Sequence, residues 1–98
     1  MPEITITDTD QRRAKDQILD VREDFEVTDG MIPNAIHIPM GELSSRLNEI
    51  DRARPVIVVC RSGNRSARAA DALTAAGFSA DTMGGGMVAW QQAGLPIN

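Results

Sequence analysis

Cysteine is almost absent. Cys60 is the only one in 98 residues, so no disulfide can form within the chain, and a reducing compartment such as the cytoplasm is its simplest home. Histidine is equally scarce: with His37 alone beside Cys60, a closed zinc site of four Cys/His ligands cannot be assembled, and no metal is expected. Aromatic residues number three, Phe25, Phe78 and Trp90, too few for a platform on which bases could stack. Long apolar runs are missing too. The longest, Val56 to Cys60, falls far short of a membrane span. Positive charge is not in excess either: ten Lys and Arg against fourteen Asp and Glu leave a net charge of −4. That balance argues against a general binder of nucleic acid or of an anionic membrane. The first residues, Met-Pro-Glu-Ile-Thr, lack the basic and apolar pattern of a secretory leader, which fits a cytoplasmic expectation.

What is present is an ordinary globular composition, 42% hydrophobic and 24% charged, of a length that suits a single domain over residues 1–98. Strand and helix signals alternate. Ile4-Thr5-Ile6 reads as a short strand, and Thr7 to Asp10 offers capping residues for a helix through Lys15. Gln17 to Val21 reads as a strand, Arg22 to Asn34 mostly as loop, and Ala35 to Ile38 as a strand stopped by Pro39. Leu43, Leu47 and Ile50 give Gly41–Ile50 a helical spacing. Val56 to Val59 is apolar at every position, as in a central parallel strand buried on both faces. An Ala-rich helix is expected from Ser66 to Ala76 with Gly77 as its C-cap. A last strand over Phe78–Met83, three glycines and a short helix around Val88–Gln92 follow. This alternation with short connections predicts an α/β fold, a central parallel sheet with helices on both faces.

Ligands of such sheets bind beyond the carboxyl ends of the strands. There the chain places Cys60, then Arg61-Ser62-Gly63-Asn64-Arg65, then the expected helix start at Ser66. A loop tightening into a helix N-terminus turns its N–H groups inward and makes an anion nest. The window from Cys60 to Ala70 holds Arg61, Arg65 and Arg68 and no acid, inside an acidic chain. Those neighbours favour a thiolate, so Cys60 is a candidate nucleophile at neutral pH without a histidine base. The competing reading is a buried, inert cysteine at a strand end.

Four blocks carry a resemblance: Leu19-Asp20-Val21-Arg22-Glu23; Gly30 with Ile32 to Pro39; Cys60-Arg61-Ser62-Gly63-Asn64-Arg65-Ser66; and Gly85-Gly86-Met87 with Ala89-Trp90. Together they span nearly the whole chain, and the sequence resembles the rhodanese family, in particular its single-domain thiosulfate sulfurtransferases. The resemblance implies a sheet of about five short strands. It also implies that Cys60 takes a sulfane sulfur and holds it as a persulfide, cradled by the N–H groups from Arg61 to Ser66. On this analogy Arg61, Ser62, Gly63, Asn64, Arg65 and Ser66 bind the substrate, with Arg61 and Arg65 steering an anionic donor such as thiosulfate. Cyanide or a thiol accepts the sulfur, a sulfur-relay protein being a further partner, and no cofactor is needed because one cysteine suffices for a ping-pong scheme.

Asp20 and Arg22 match the family's Asp-x-Arg and stand, by analogy, as supports for the loop; the alternative is a surface ion pair. His37 falls at a strand position that carries no chemistry in the family. Gly84 to Gly86 marks a tight turn, and Trp90 is expected in the core. Related phosphatases have Cys-x5-Arg, whereas here Arg65 follows Cys60 as Cys-x4-Arg, the sulfurtransferase length. Arg61 departs from the Cys-Gly-Ser-Gly loop of mercaptopyruvate-using relatives. Met31 stands where the family often has His. A catalytically silent binding module is the alternative function, although such modules usually lack the cysteine or the arginines present here.

Overall fold

The computed structural model describes residues 2–98. Five short strands, β1 (Glu3–Ile4), β2 (Gln17–Asp20), β3 (Ile36–His37), β4 (Val56–Val59) and β5 (Ala80–Met83), form one sheet in the order β1-β5-β4-β2-β3. Every neighbouring pair is parallel, as the alternation predicts. The α-helices are α1 (Ile6–Arg12), α2 (Asp24–Val27), α3 (Asn64–Ala75) and α4 (Gly86–Gln92). None is long and apolar enough to cross a membrane.

The position of β4 explains its lack of polar residues. It is the middle strand, and alternate side chains enter two different cores. Val56, Val58 and then Cys60 pack with Ala69, Ala70 and Leu73 of α3. Ile57 and Val59 face the other way, toward Met83, Met87 and Trp90. Each fully buried Val or Ile side chain contributes about 1.5–3 kcal/mol relative to exposure, so neither face of β4 tolerates a polar residue cheaply. Trp90 is wholly buried, its Nε1–H donating to the Pro96 carbonyl at 2.8 Å.

Several boundaries differ from those the sequence predicts. Ile6 lies in α1 and not in a strand, because Thr5 caps the helix: its hydroxyl accepts from the Asp8 N–H at 3.0 Å. The Arg22–Asn34 stretch is not all loop but contains α2, one turn preceded by Glu23, whose N–H donates to Glu26 Oε1. Gly41–Ile50 is wound as two 3₁₀ segments, Met40–Ser45 and Leu47–Glu49, instead of one α-helix. Helix α3 starts at Asn64, two residues before Ser66. Its other end closes as expected, with the Gly77 N–H on the Thr74 carbonyl and the Phe78 N–H on that of Leu73. This bond holds Phe78 to the helix end, so β5 begins only at Ala80.

Candidate active site

Cys60 is the first residue after β4, at the carboxyl edge of the sheet, and is 1% exposed. Three residues, Arg61 to Gly63, separate it from the first turn of α3. Gly63 makes that reversal with φ +112°, a region strained for any L side chain; a Cβ there would make only ordinary contacts, 3.7 Å from Gly85 N and 3.9 Å from Met83 O, so backbone conformation and not crowding requires glycine. The turn aims two N–H groups at one atom. Gly63 N–H donates to Cys60 Sγ at 3.1 Å and Ser66 N–H at 3.3 Å, while the Ser66 hydroxyl stands 3.4 Å from the sulfur. The twelve-residue α3 adds the positive end of its dipole.

These contacts decide the acidity of the thiol. Burial pushes Cys60 up, but the Ser66 hydroxyl and the N–H groups of Ser66, Gly63 and Ser62 outweigh it, and the net direction is downward from the ordinary value. The donors converge on the sulfur as they do in an anion nest.

The outer side of the loop is braced by α4. Met87 N–H donates to the Cys60 carbonyl at 2.8 Å and Val88 N–H to that of Arg61 at 3.0 Å. Such close approach needs Gly86, since a Cβ there would fall 2.4 Å from the Arg61 oxygen and 2.7 Å from that of Cys60. The glycine run is therefore more than a turn: it holds the carbonyls of the loop away from the sulfur and leaves the N–H groups facing it.

The arginines part company. Arg61 is exposed and makes no ion pair among the described residues. Arg65, expected to be a free loop cation, is half-buried on α3, and both its Nη atoms meet the Glu26 carboxylate, at 2.6 and 2.8 Å. Its charge is thus neutralised by a residue 39 positions away, which no local window reveals. Ser62 and Asn64 are exposed beside Arg61, and Ser66 is fully buried. An open cavity of about 850 Å³ adjoins the loop, lined by Arg61, Arg65, Glu23, Phe25, Glu26 and Val88 among others. Its mouth is mixed in charge and not the basic funnel that the local sequence suggests.

Asp20 and Arg22 form a buried pair, not a surface one. Arg22 Nη2 lies 2.8 Å from Asp20 Oδ2, and the side chains are 5% and 0% exposed. Arg22 also donates to the carbonyls of Gly30 and Glu26, tying the end of β2 to the α2 segment. His37 Nε2–H donates to the Arg22 carbonyl at 2.7 Å, which places His37 in this scaffold and away from the sulfur. The backbone of Met31 pairs with Asn98 in both directions. Sequence reasoning missed Glu26, Gly86 as a brace, and Thr82, whose hydroxyl is 2.7 Å from that of Ser66. Glu26 left a local trace in its spacing from Glu23 in a capping pattern, and Gly86 in the glycine run, whereas Thr82 left none.

The Glu26–Arg65 pair has a measurable signature. The Arg65 guanidinium holds the Glu26 carboxyl at about 2, below its ordinary 4.5. A depressed carboxylate stabilises the fold above its unfolded value, and that contribution fades as pH falls from 4.5 toward 2. Thermal melts across that window should show the wild type losing about 1–2 kcal/mol more than Glu26→Gln. Parallel curves for the two proteins would contradict the pairing.

Parallel sheet, two-sided helices and a cysteine-centred loop define an α/β module built around an anion nest. The chain belongs to the rhodanese-like domain family, whose profile matches residues 5–93. Among its relatives, YtwF of Bacillus subtilis is 41% identical over 83% of this chain and 79% of its own length. A sulfurtransferase of Allochromatium vinosum is 40% identical over 82% of this chain and 76% of its own. The crystal structure of a rhodanese-related protein from Thermoplasma volcanium superposes with a TM-score of 0.95 at 34% identity, covering 100% of this chain and 98% of that one.

Proposed function

We propose that this chain, working as one module over residues 1–98, is a sulfurtransferase whose Cys60 carries sulfur as a persulfide. The observation that supports it best is the convergence of the Gly63 and Ser66 N–H groups on Cys60 Sγ. With thiosulfate as donor, the Cys60 thiolate attacks the outer sulfane sulfur; the S–S bond to the sulfonyl group breaks and sulfite leaves with its electron pair. The persulfide anion retains the single negative charge and rests among the N–H groups, a fixed anion hole. Cyanide or a thiolate then attacks the terminal sulfur, and Cys60 departs as thiolate. A relay protein's thiol would serve as acceptor in the same way. The cytoplasm suits a lone reduced cysteine.

Within this reading Arg61 is the cation that meets the donor, while Arg65 holds α2 against the loop through Glu26. Asp20 and Arg22 support that arrangement from beneath. The test is intact mass: incubation with thiosulfate should add one sulfur to the wild type, and cyanide should remove it with thiocyanate appearing. No sulfur gained from thiosulfate or from glutathione persulfide would move the assignment to a silent binding module. Hydrolysis of an aryl phosphate that depends on Cys60 would instead overturn the loop-length distinction from phosphatases.

A further inference from the structure

Three polar atoms surround the Ser66 hydroxyl: Thr82 Oγ1 at 2.7 Å, the Gly63 carbonyl at 3.1 Å and Cys60 Sγ at 3.4 Å. Ser66 has one proton to give. Thr82 comes from β5, the strand next to β4, and is 1% exposed. Its hydroxyl has no side-chain or backbone partner other than Ser66 among the described residues. If Ser66 donated to Thr82, the Thr82 proton would be buried without an acceptor, at a cost that a native core avoids. Thr82 must therefore be the donor. Ser66 Oγ then accepts from Thr82 and keeps its own proton for one of the other two neighbours.

With Cys60 as a thiol, S–H donates to Ser66 Oγ and Ser66 O–H donates to Gly63. With Cys60 as a thiolate, the Ser66 proton can swing to the sulfur. The Gly63 carbonyl is not orphaned by this swing, because Ala67 N–H also donates to it at 3.1 Å. Both states are fully hydrogen-bonded, and only the Ser66 proton moves.

We propose that Thr82 is a positioning residue for the Cys60 site: its hydroxyl donates to Ser66, holds that hydroxyl in place and polarises its single proton, so that Ser66 is a stronger donor to the Cys60 sulfur. The inference rests on Cys60 being the nucleophile and is independent of which donor supplies sulfur. The charged groups around the thiol come from other elements: Arg61 from the loop, Arg65 from α3, and Glu23 and Glu26 from the α2 segment. Strand β5 presents none on this side, since Asp81 turns to Arg12 of α1. A change at Thr82 thus alters a hydrogen bond without moving a charge.

The experiment is the rate of Cys60 alkylation by iodoacetamide against pH in Thr82→Val, which keeps the shape and the β-branch but removes the hydroxyl. The thiolate midpoint should rise, because a Ser66 hydroxyl that no longer accepts from Thr82 is a weaker donor to the sulfur, and the rate at neutral pH should fall about two- to fourfold. Thr82→Ser should restore the wild-type profile, a rescue that a packing role would not give. In a Ser66→Ala background Thr82→Val should produce no further change in midpoint. A folded Thr82→Val protein with the wild-type midpoint would overturn the proposal, as would a shift that persists without Ser66. Should Thr82→Val fail to fold, the Ala and Ser variants at 82 decide the matter: the midpoint must rise in Thr82→Ala and stay in Thr82→Ser. Alkylation reads the thiolate whether or not sulfur is transferred, so a failed sulfurtransferase assay leaves this test intact.

Discussion

Cys60→Ser is expected to abolish sulfur loading and to lower turnover by at least about a thousandfold, because no other group can take the sulfur covalently. The hydroxyl fits the space of the thiol and can still accept from Gly63 and Ser66, so the melting temperature should stay close to that of the wild type. Steady-state turnover and calorimetry on the same sample separate the two effects. A Cys60→Ser protein that keeps a substantial fraction of turnover would refute the persulfide route. One that unfolds would show instead that the thiol's packing beneath α3 is a main support of the core.

The largest loss of stability is expected from Asp20→Ala. It leaves the Arg22 guanidinium, 4% exposed, without its carboxylate and with only the Gly30 and Glu26 carbonyls for partners. Breaking a buried pair from one side costs about 3–5 kcal/mol, a large share of what a domain of this size possesses. Denaturant melts should therefore show the midpoint falling steeply. A double replacement of Asp20 and Arg22 by apolar residues should recover part of the loss, since it removes the stranded charge along with its partner. A single variant as stable as the wild type would mean that water reaches Arg22.

The fold was legible because its signals are local or periodic. A short, β-branched apolar run after Pro55, Val56–Val59, points to a strand covered on both sides, and Gly77 after an Ala-rich segment points to a helix end. The boundaries that moved did so for reasons lying just outside each window. Thr5 caps α1 from within the expected strand, and Phe78 is held by Leu73 before β5 can begin. The candidate nucleophile and its loop were legible for the same reason, being consecutive. Glu26 and Thr82 were not, since one reaches Arg65 across 39 positions and the other reaches Ser66 across 16. Arg65 shows the consequence most clearly: its charge is plain in the sequence, and the acid that neutralises it becomes a neighbour only in the folded chain.

Helix α2 buries none of its residues, and Phe25 at its centre is 75% exposed. It is fastened by Arg65 on one side and Arg22 on the other, and otherwise contributes little to either core. The wall of the cavity that α2 forms can therefore vary by mutation with little penalty to folding, provided Glu26 stays to grip Arg65. Selection for a new ligand in this cavity could act on Phe25 and the neighbouring Asp29 while the anion nest and the sheet remain untouched. The architecture separates the part that must be inherited from the part that is free to drift.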